Sequence, residues 1–332
     1  MPFVEVGLIG IGPAWIHQCV KCGFRQIRPR LDESDLDALY GGDYFDTDAT
    51  HGFRDYSRQK QRYERDAFFF AKDLNRLKPS GRLLEIGSAL GFFLSSVSKQ
   101  TRWVVEGVEV SGFGAWYARD RFGVTVHQGT LEQANFPSES FDYVLQKDLL
   151  EHVLDPRRHL QETCRIMRPK ARMRLITPNG EADVRPLERV SMPSTEVPGL
   201  GQGHLSFFTR PQLLRLLDET GFRVLRFRNI GLRRGIRALG LLPWSKRKTP
   251  CVPRESLVCT SKADHDFNSP GVDEHARRAD RIDAEIASRD SSLRRWRGYY
   301  YYRHLMKRFD ALPGTITIGQ DFDVVIEKID KS

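Results

Sequence analysis

The chain has 332 residues, 40% of them apolar, and a formal net charge of +9, enough for one large domain with additions or for two domains with a sizeable core. Five cysteines, odd in number and thinly spread, argue against a secreted disulfide scaffold. No run approaches the ~18 apolar residues of a membrane span, and the mildly apolar start "MPFVEVGLIGIGPAW" lacks a basic n-region, so we expect a soluble protein of a reducing cytoplasm.

Residues 1–53 read as an irregular arm. The arm holds one CxxC, Cys19 and Cys22. Structural zinc wants four ligands, and nothing in the sequence brings Cys251 or Cys259 to that pair, so no metal is expected. Tyr40, Tyr44 and Phe45 in "LYGGDYF" are candidates for a lid over a site, set against ordinary packing of the arm. A helix is expected near Arg54–Leu77.

From Arg82 to Arg228 the pattern alternates. The β-rich runs are "RLLEI", "VVEGVEV", "VTVHQ", "FDYVLQ", "RMRLIT" and "FRVLRF". Between them lie helical stretches at Phe92–Lys99, Gly112–Arg121, Arg157–Met167 and Arg210–Glu219. Such alternation predicts a parallel sheet with helices on both faces. For the last helix, Thr209 is a candidate N-cap, Pro211 lies just inside and Gly221 just past the end.

The first strand runs into a loop, Glu85-Ile86-Gly87-Ser88-Ala89-Leu90-Gly91. A dinucleotide fingerprint needs G-x-G-x-x-G; here Gly87-x-Ala89-x-Gly91 follows an acid two residues before the first glycine. A carboxylate there repels a pyrophosphate. It suits a ligand with no phosphate and a positive charge, such as S-adenosylmethionine (SAM), which carries a sulfonium, an amino group and a ribose. Glu109 ends the second strand, where an acid can accept both ribose hydroxyls; that feature fits NAD as well, and the loop is what discriminates.

His152, in "EHVLDP", and His204, in "GHLSFF", both fall near the functional edge of the sheet. Methyl transfer from a sulfonium is an in-line displacement whose rate owes much to positioning. An alcohol, phenol or carbon acid also has to lose a proton, which histidine can take. His204 and His152 are therefore the candidates for base or substrate contact, against a structural role for each. Glu151 can interact with the nearby helix start, and Asn179 at the end of "ITPN" can cap a turn or touch substrate.

After Phe227 the alternation stops. Between Leu232 and Thr315 stand 18 Lys/Arg against 10 Asp/Glu, so nearly all of the net positive charge sits there. Ala279, Ile282, Ile286, Leu293 and Trp296 predict an amphipathic helix within this segment. Packing on the core, a dimer contact, a lid and an anionic lipid surface are all open for it. A final strand, "FDVVIE", Phe322–Glu327, has only the earlier sheet to pair with.

Together these residues carry a resemblance. Arg82–Phe227 resembles the class I SAM-dependent methyltransferases, in particular the bacterial group related to the ubiquinone and sugar methyltransferases. "LLEIGSALGFFL" resembles their motif I, with Ala89 at the middle glycine, and "GTLEQANFPSESFDYVLQKDLLEHVLDPRRHL" resembles the block that follows the third strand. "RIMRPKARMRLITPN" and "GHLSFFTRPQLLRLLDETGF" resemble later blocks, and "CVKCGF…RP…LDALYGGDYF" resembles the arm that often precedes this domain. The resemblance implies that Glu85, Gly87 and Gly91, with Ser88 beside them, line the methionine part of SAM. It implies that Glu109, with Val110, holds the ribose, that Thr130 and Leu131 contact the adenine, and that Gln146 and Lys147 face the reacting methyl.

The expected fold is α/β: a Rossmann-like, seven-stranded, mostly parallel sheet with helices on both faces and an antiparallel last strand. The divisions are 1–53 (arm), 54–231 (SAM-binding core), 232–315 (basic helical insertion) and 316–332 (last strand). The expected activity is methyl transfer from SAM to a small-molecule or glycan- or lipid-linked acceptor, at oxygen first and at nitrogen or carbon second. An anionic acceptor, a peripheral membrane contact and a homodimer are the partner expectations. Nucleic acid is disfavoured, since no reader motif is present. The alternatives are an RNA or protein methyltransferase on the same fold, or a binding protein that has lost catalysis.

Overall fold

Hydrophobic periodicity and punctuation build two sheets. The computed structural model describes residues 2–8, 12–28, 30–32, 35, 45, 56–189, 203–231, 272–289 and 321–330. The chain begins with β1 (Pro2–Leu8), β2 (Gly12–Gln18) and β3 (Arg25–Arg28), then a 3-10 turn at Tyr56–Gln59 and α1 (Lys60–Leu77). Next come β4 (Arg82–Ile86), α2 (Phe92–Gln100), β5 (Val104–Glu109), α3 (Gly112–Phe122), β6 (Thr125–Gln128) and β7 (Phe141–Lys147). A 3-10 turn at Leu150–His152 leads to α4 (Pro156–Ile166), β8 (Met167–Pro178) and α5 (Gly180–Arg189). The chain continues through β9 (Ser206–Phe207), α6 (Arg210–Glu219), β10 (Phe222–Ile230), α7 (Val272–Arg289) and β11 (Asp321–Lys328).

The main sheet has the order β10-β11-β8-β7-β4-β5-β6. The strands from β6 to β8 are mutually parallel. β11 runs antiparallel between β8 and β10. This is the Rossmann-like sheet the sequence predicts, final antiparallel strand included. The strand order reverses at the β4/β7 boundary, and a doubly wound sheet opens its ligand crevice there, at the carboxyl ends of the strands.

Period-2 alternation splits the core between the two faces of the sheet. Leu84, Ile86 and Val144 pack with Leu160 of α4 and Leu213 and Leu217 of α6. Leu83, Tyr143 and Leu145 pack on the other face with Phe70 and Leu74 of α1 and Leu94 and Val97 of α2. Local signals stop the helices where expected. At α6 the Thr209 side chain and Gln212 form a capping box, and Gly221 follows with φ 92°. Asp155 caps α4 by accepting from the backbone N–H groups of Arg157 and Arg158 at 3.0 Å.

The arm differs from the expectation of irregular chain. β1, β2 and β3 form an antiparallel meander, and β9 completes a four-stranded sheet in the order β1-β2-β3-β9. The two-residue partner β9 lies far downstream, so no local pattern could announce the pairing. Phe24 and Phe208 pack with ring centroids 5.4 Å apart, and Gln212 Nε2 donates to the Cys22 carbonyl at 3.1 Å. Cys19 and Cys22 are exposed at the β2–β3 turn.

Of the basic insertion, α7 is described. Its stripe of Ala279, Ile282 and Ile286 packs against Tyr56, Phe92, Phe113 and Tyr117. Asp283 accepts from Tyr117 Oη at 2.6 Å, and Glu285 accepts from Ser57 Oγ at 2.9 Å. Two acids of the helix, Asp283 and Glu285, thus bond to the core, and His275 packs on Phe113 and Trp116. Leu293, Trp296 and the tyrosine run lie outside the described residues, as do Tyr40, Tyr44, Cys251 and Cys259. Among the described residues no helix is long and apolar enough to cross a membrane.

Candidate active site

A cavity of about 500 Å³ lies over the carboxyl ends of β4, β5 and β7. Such a volume falls in the usual range for a small-molecule or cofactor site. The turn leaving β4 is wound left-handed at three points, Gly87 (φ 78°), Ala89 (φ 49°) and Gly91 (φ 75°). Ala89 holds a conformation that costs an L-residue about 1–2 kcal/mol. Its backbone N–H donates to Glu109 Oε2 at 2.7 Å, which pins the loop to the end of β5.

Glu109 also accepts from Ser111 N–H at 2.9 Å through Oε1. Burial pushes its pKa up, against the backbone N–H groups of Ser111, Ala89 and Val110 that favour the charge. Each carboxylate oxygen has a second lone pair, so a ribose hydroxyl can still be accepted at the cavity wall. Glu85 is different. It is buried at 6% exposure, and its Oε2 has no hydrogen-bond partner. Burial pushes its pKa up to about 8, opposed by the charge of Lys147 and assisted by that of Glu109. An orphaned buried acceptor beside a left-handed loop is the kind of atom that a cationic ligand satisfies.

The cavity wall gathers Gly87, Glu109, Val110, Thr130, Leu131 and Lys147 from the sequence-predicted donor residues. The other four stand behind it. The Ser88 hydroxyl points into the packing against β5, where a Cβ built on Gly107 would meet it at 2.7 Å. Gly91 lets α2 approach α3, since its Cβ would meet that of Ala118 at 2.7 Å. Gln146 is fully buried, with Nε2 2.5 Å from His159 Nε2 and 3.3 Å from Thr163 Oγ1. Glu85 sits just beneath the loop. Thr130 caps its own turn, its backbone N–H donating to Gln133 Oε1 at 2.8 Å.

Aromatic rings roof the site. Phe45, Tyr56 and Tyr63 line the cavity, with Phe45 and Tyr56 centroids 5.1 Å apart and Tyr56 and Tyr63 stacked at 5.6 Å. Lys147 Nζ sits 4.3 Å from the Tyr63 ring centroid. Phe45 is the one member of the proposed lid that is described. Tyr56 and Tyr63 carried no sequence signal, because their helix reads as ordinary amphipathic structure.

At the far end His152 lines the cavity. Its Nδ1 lies 3.2 Å from the Gly203 carbonyl, and its ring meets that of His204 edge-on at 4.9 Å. Burial, with the charge of His204, pushes its pKa down to about 3, so the ring is neutral at physiological pH. His204 is buried, with Nδ1 3.0 Å from Asp183 Oδ2. Burial lowers its pKa, but the hydrogen bond and charge of Asp183 with the charges of Glu151 and Asp148 outweigh that and hold it above its ordinary value. Glu151 does not serve the following helix; it is 1% exposed and accepts from Thr177 Oγ1 at 2.9 Å. Burial pushes its pKa up to about 8. Asn179 caps α5, accepting from Glu181 N–H at 3.2 Å. Asp183 carries no sequence signal, since an acid in the first turn of a helix reads as ordinary helix-dipole complement.

The sequence profile of a methyltransferase-domain family matches residues 56–226, just over half of the chain. No curated protein matches. Many solved structures are similar in part. A SAM-dependent methyltransferase from Thermotoga maritima shares 25% identity over 53% of this chain and 79% of its own, with a TM-score of 0.40. One from Mesorhizobium loti shares 13% identity over 75% and 91%, at 0.41, and one from Methanosarcina mazei 19% over 47% and 86%, at 0.38.

Proposed function

The chain belongs to the methyltransferase-domain family and is a SAM-dependent methyltransferase, and from that premise we propose that it methylates a hydroxyl oxygen of a small-molecule or glycan- or lipid-linked acceptor. SAM supplies an electrophilic methyl on a sulfonium. The observation that carries the donor reading is Glu85, whose buried Oε2 has no partner under the loop of Gly87 to Gly91. Glu85 would answer the amino group and cationic charge of the ligand, Glu109 the ribose, and Val110 and Leu131 the adenine faces. Phe45 and Tyr56 exclude water above it. Gly91, Ser88 and Gln146 act from behind by setting the shape of loop and strand.

The acceptor enters at the His152 end of the cavity. There the Glu151, His152 and His204 group offsets the charge of an ionising hydroxyl, which an oxygen acceptor needs and a free amine does not. The catalytic unit on this reading is 54–231 with 316–332, in the cytoplasm, and the basic segment 232–315 favours an anionic acceptor such as a phosphate-linked sugar or lipid.

The test is incubation of the full chain with methyl-labelled SAM and a panel of hydroxylated acceptors, neutral and phosphorylated. Label in a base-stable ether, faster on phosphorylated members and slowed by salt, is the expected result. Label in RNA or protein, or on nitrogen alone, contradicts the acceptor reading while leaving the donor reading intact.

A further inference from the structure

Glu151 and His152, neighbours in the turn after β7, meet His204 from more than 50 residues downstream behind the acceptor end of the cavity. One ligand atom from each lies within 4.8 Å of the other two. Glu151 Oε1 is the shared point, 3.8 Å from His152 Nε2 and 4.0 Å from His204 Nε2. That oxygen has no hydrogen-bond partner although Glu151 is almost wholly buried.

Every one of the three is held from behind. Asp183 takes the Nδ1 side of His204 at 3.0 Å, the Gly203 carbonyl takes Nδ1 of His152 at 3.2 Å, and the Thr177 hydroxyl donates to the other Glu151 oxygen at 2.9 Å. Carbonyl and carboxylate partners fix the ring protons on Nδ1 and turn the Nε2 lone pairs toward Glu151 Oε1. The backbone secures the arrangement. Leu205 N–H donates to the Glu151 carbonyl at 2.7 Å, tying the His152 turn to the His204 segment. Gly180 N–H donates to the Phe208 carbonyl at 2.8 Å, and a Cβ on Gly180 would meet the Phe207 backbone at 2.4 Å. Glycine there lets α5 bring Asp183 up to His204.

Three inward-facing donors, two imidazole nitrogens and a carboxylate oxygen, with their outer atoms fixed, make the ligand set of a transition ion. We propose that Glu151, His152 and His204 bind one divalent ion of the zinc class, with its open position toward the cavity on the side of His152. Two nitrogens select zinc, cobalt, iron or manganese over magnesium and calcium, which take oxygen shells. Bonds of about 2.0–2.1 Å place tetrahedral donors about 3.4 Å apart, so the three draw together by roughly 0.5–1.5 Å on binding. The proposal departs from the expectation from sequence that the protein holds no metal. The spacing Glu151-His152…His204 is too long for a recognisable metal signature, and Asp183 braces it from a third place in the chain. The ion site stands on this geometry; its use, to bind an acceptor oxygen and ease loss of its proton to solvent, rests on the methyltransferase reading.

The experiment is a Co²⁺ titration of chelator-stripped full-length protein, followed by visible absorption, with a SAM titration of the same sample by calorimetry. The expected result is one Co²⁺ per chain with d–d bands and no thiolate charge-transfer band. His204→Ala should abolish the bands. Asp183→Asn, which keeps the shape and leaves the ligands in place, should weaken Co²⁺ about 10–100-fold with SAM affinity unchanged. Absence of Co²⁺ binding in protein that still binds SAM overturns the proposal. Bands that survive Glu151→Gln and His204→Ala, or that vanish with Cys22→Ser, also overturn it. Loss of SAM binding with Co²⁺ binding intact counts against the donor reading alone.

Discussion

The two ends of the cavity are built in opposite ways. The donor end comes from one short loop and the strand beside it: Glu85, Gly87, Ala89 and Gly91 lie within seven residues, and Glu109 reaches across from β5. The acceptor end is assembled from long range: Glu151 and His152 follow β7, Asp183 is on α5, and His204 precedes β9. The first leaves one buried carboxylate oxygen, Glu85 Oε2, unanswered beside the proposed donor site. The second brings three donors to one point and braces each from behind. A local loop can be strained and read in sequence; a long-range cluster depends on the packing of every element that carries it.

Changes at the acceptor end should have the largest effect on turnover. His204→Ala is expected to lower turnover by about 10²–10⁴-fold with SAM affinity within about threefold, measured by single-turnover transfer and calorimetry. A matching loss of SAM affinity would merge the two ends.

The donor end should break through affinity. Glu85→Ala and Glu109→Ala should each cost about 1–3 kcal/mol of SAM binding. Thermal unfolding then separates them. Glu109→Ala removes the acceptor of the Ala89 and Ser111 N–H groups and should lower the Tm of the ligand-free protein. Glu85→Ala removes a buried carboxyl whose Oε2 is unpaired and should leave Tm unchanged or higher. Equal losses of Tm would refute the orphaned role of Glu85.

Proton linkage sharpens the same point. The Glu85 carboxyl, raised to about 8, binds its proton more tightly folded than unfolded. Its contribution to stability is therefore full below its unfolded pKa, near 4.5, and is lost as pH rises toward 8. A cationic ligand favours the charged form, so SAM binding near pH 7 should release about one proton. Calorimetry in buffers of different ionisation enthalpy measures this, and Glu85→Gln should abolish it.

The smallest expected effect is a gain. Ala89→Gly relieves a left-handed alanine at φ 49° and should stabilise the fold by about 0.5–1 kcal/mol, allowing for the added freedom of the unfolded chain. Urea denaturation reads it, and a loss would mean that the Ala89 methyl packs for more than its backbone costs.

How much was legible follows from the same contrast. The strand–loop–helix at Leu83–Leu94, the acid on β5 and the capped α6 were readable because each signal is complete within a few residues. The parallel sheet with helices on both faces followed from alternation, whereas the strand order came only with the structure. The four-stranded arm sheet was not readable, because its edge is set by Ser206 and Phe207. Ser88, Gly91 and Gln146, expected at the donor site, face the packing: in the loop after β4, Ser88 sits against Gly107 and Gly91 against Ala118, while the pleat of β7 turns Gln146 toward His159. Both histidines were singled out by their position after the strands; Asp183 and the inward turn of Glu151 needed tertiary packing.

The most direct test is a crystal structure with S-adenosylhomocysteine bound. The account predicts the ligand across the ends of β4 and β5, its ribose hydroxyls on Glu109, its amino group toward Glu85 and its sulfur facing the His152 end. A ligand that leaves Glu85 Oε2 unpaired, or that lies away from the Gly87–Gly91 loop, would contradict it.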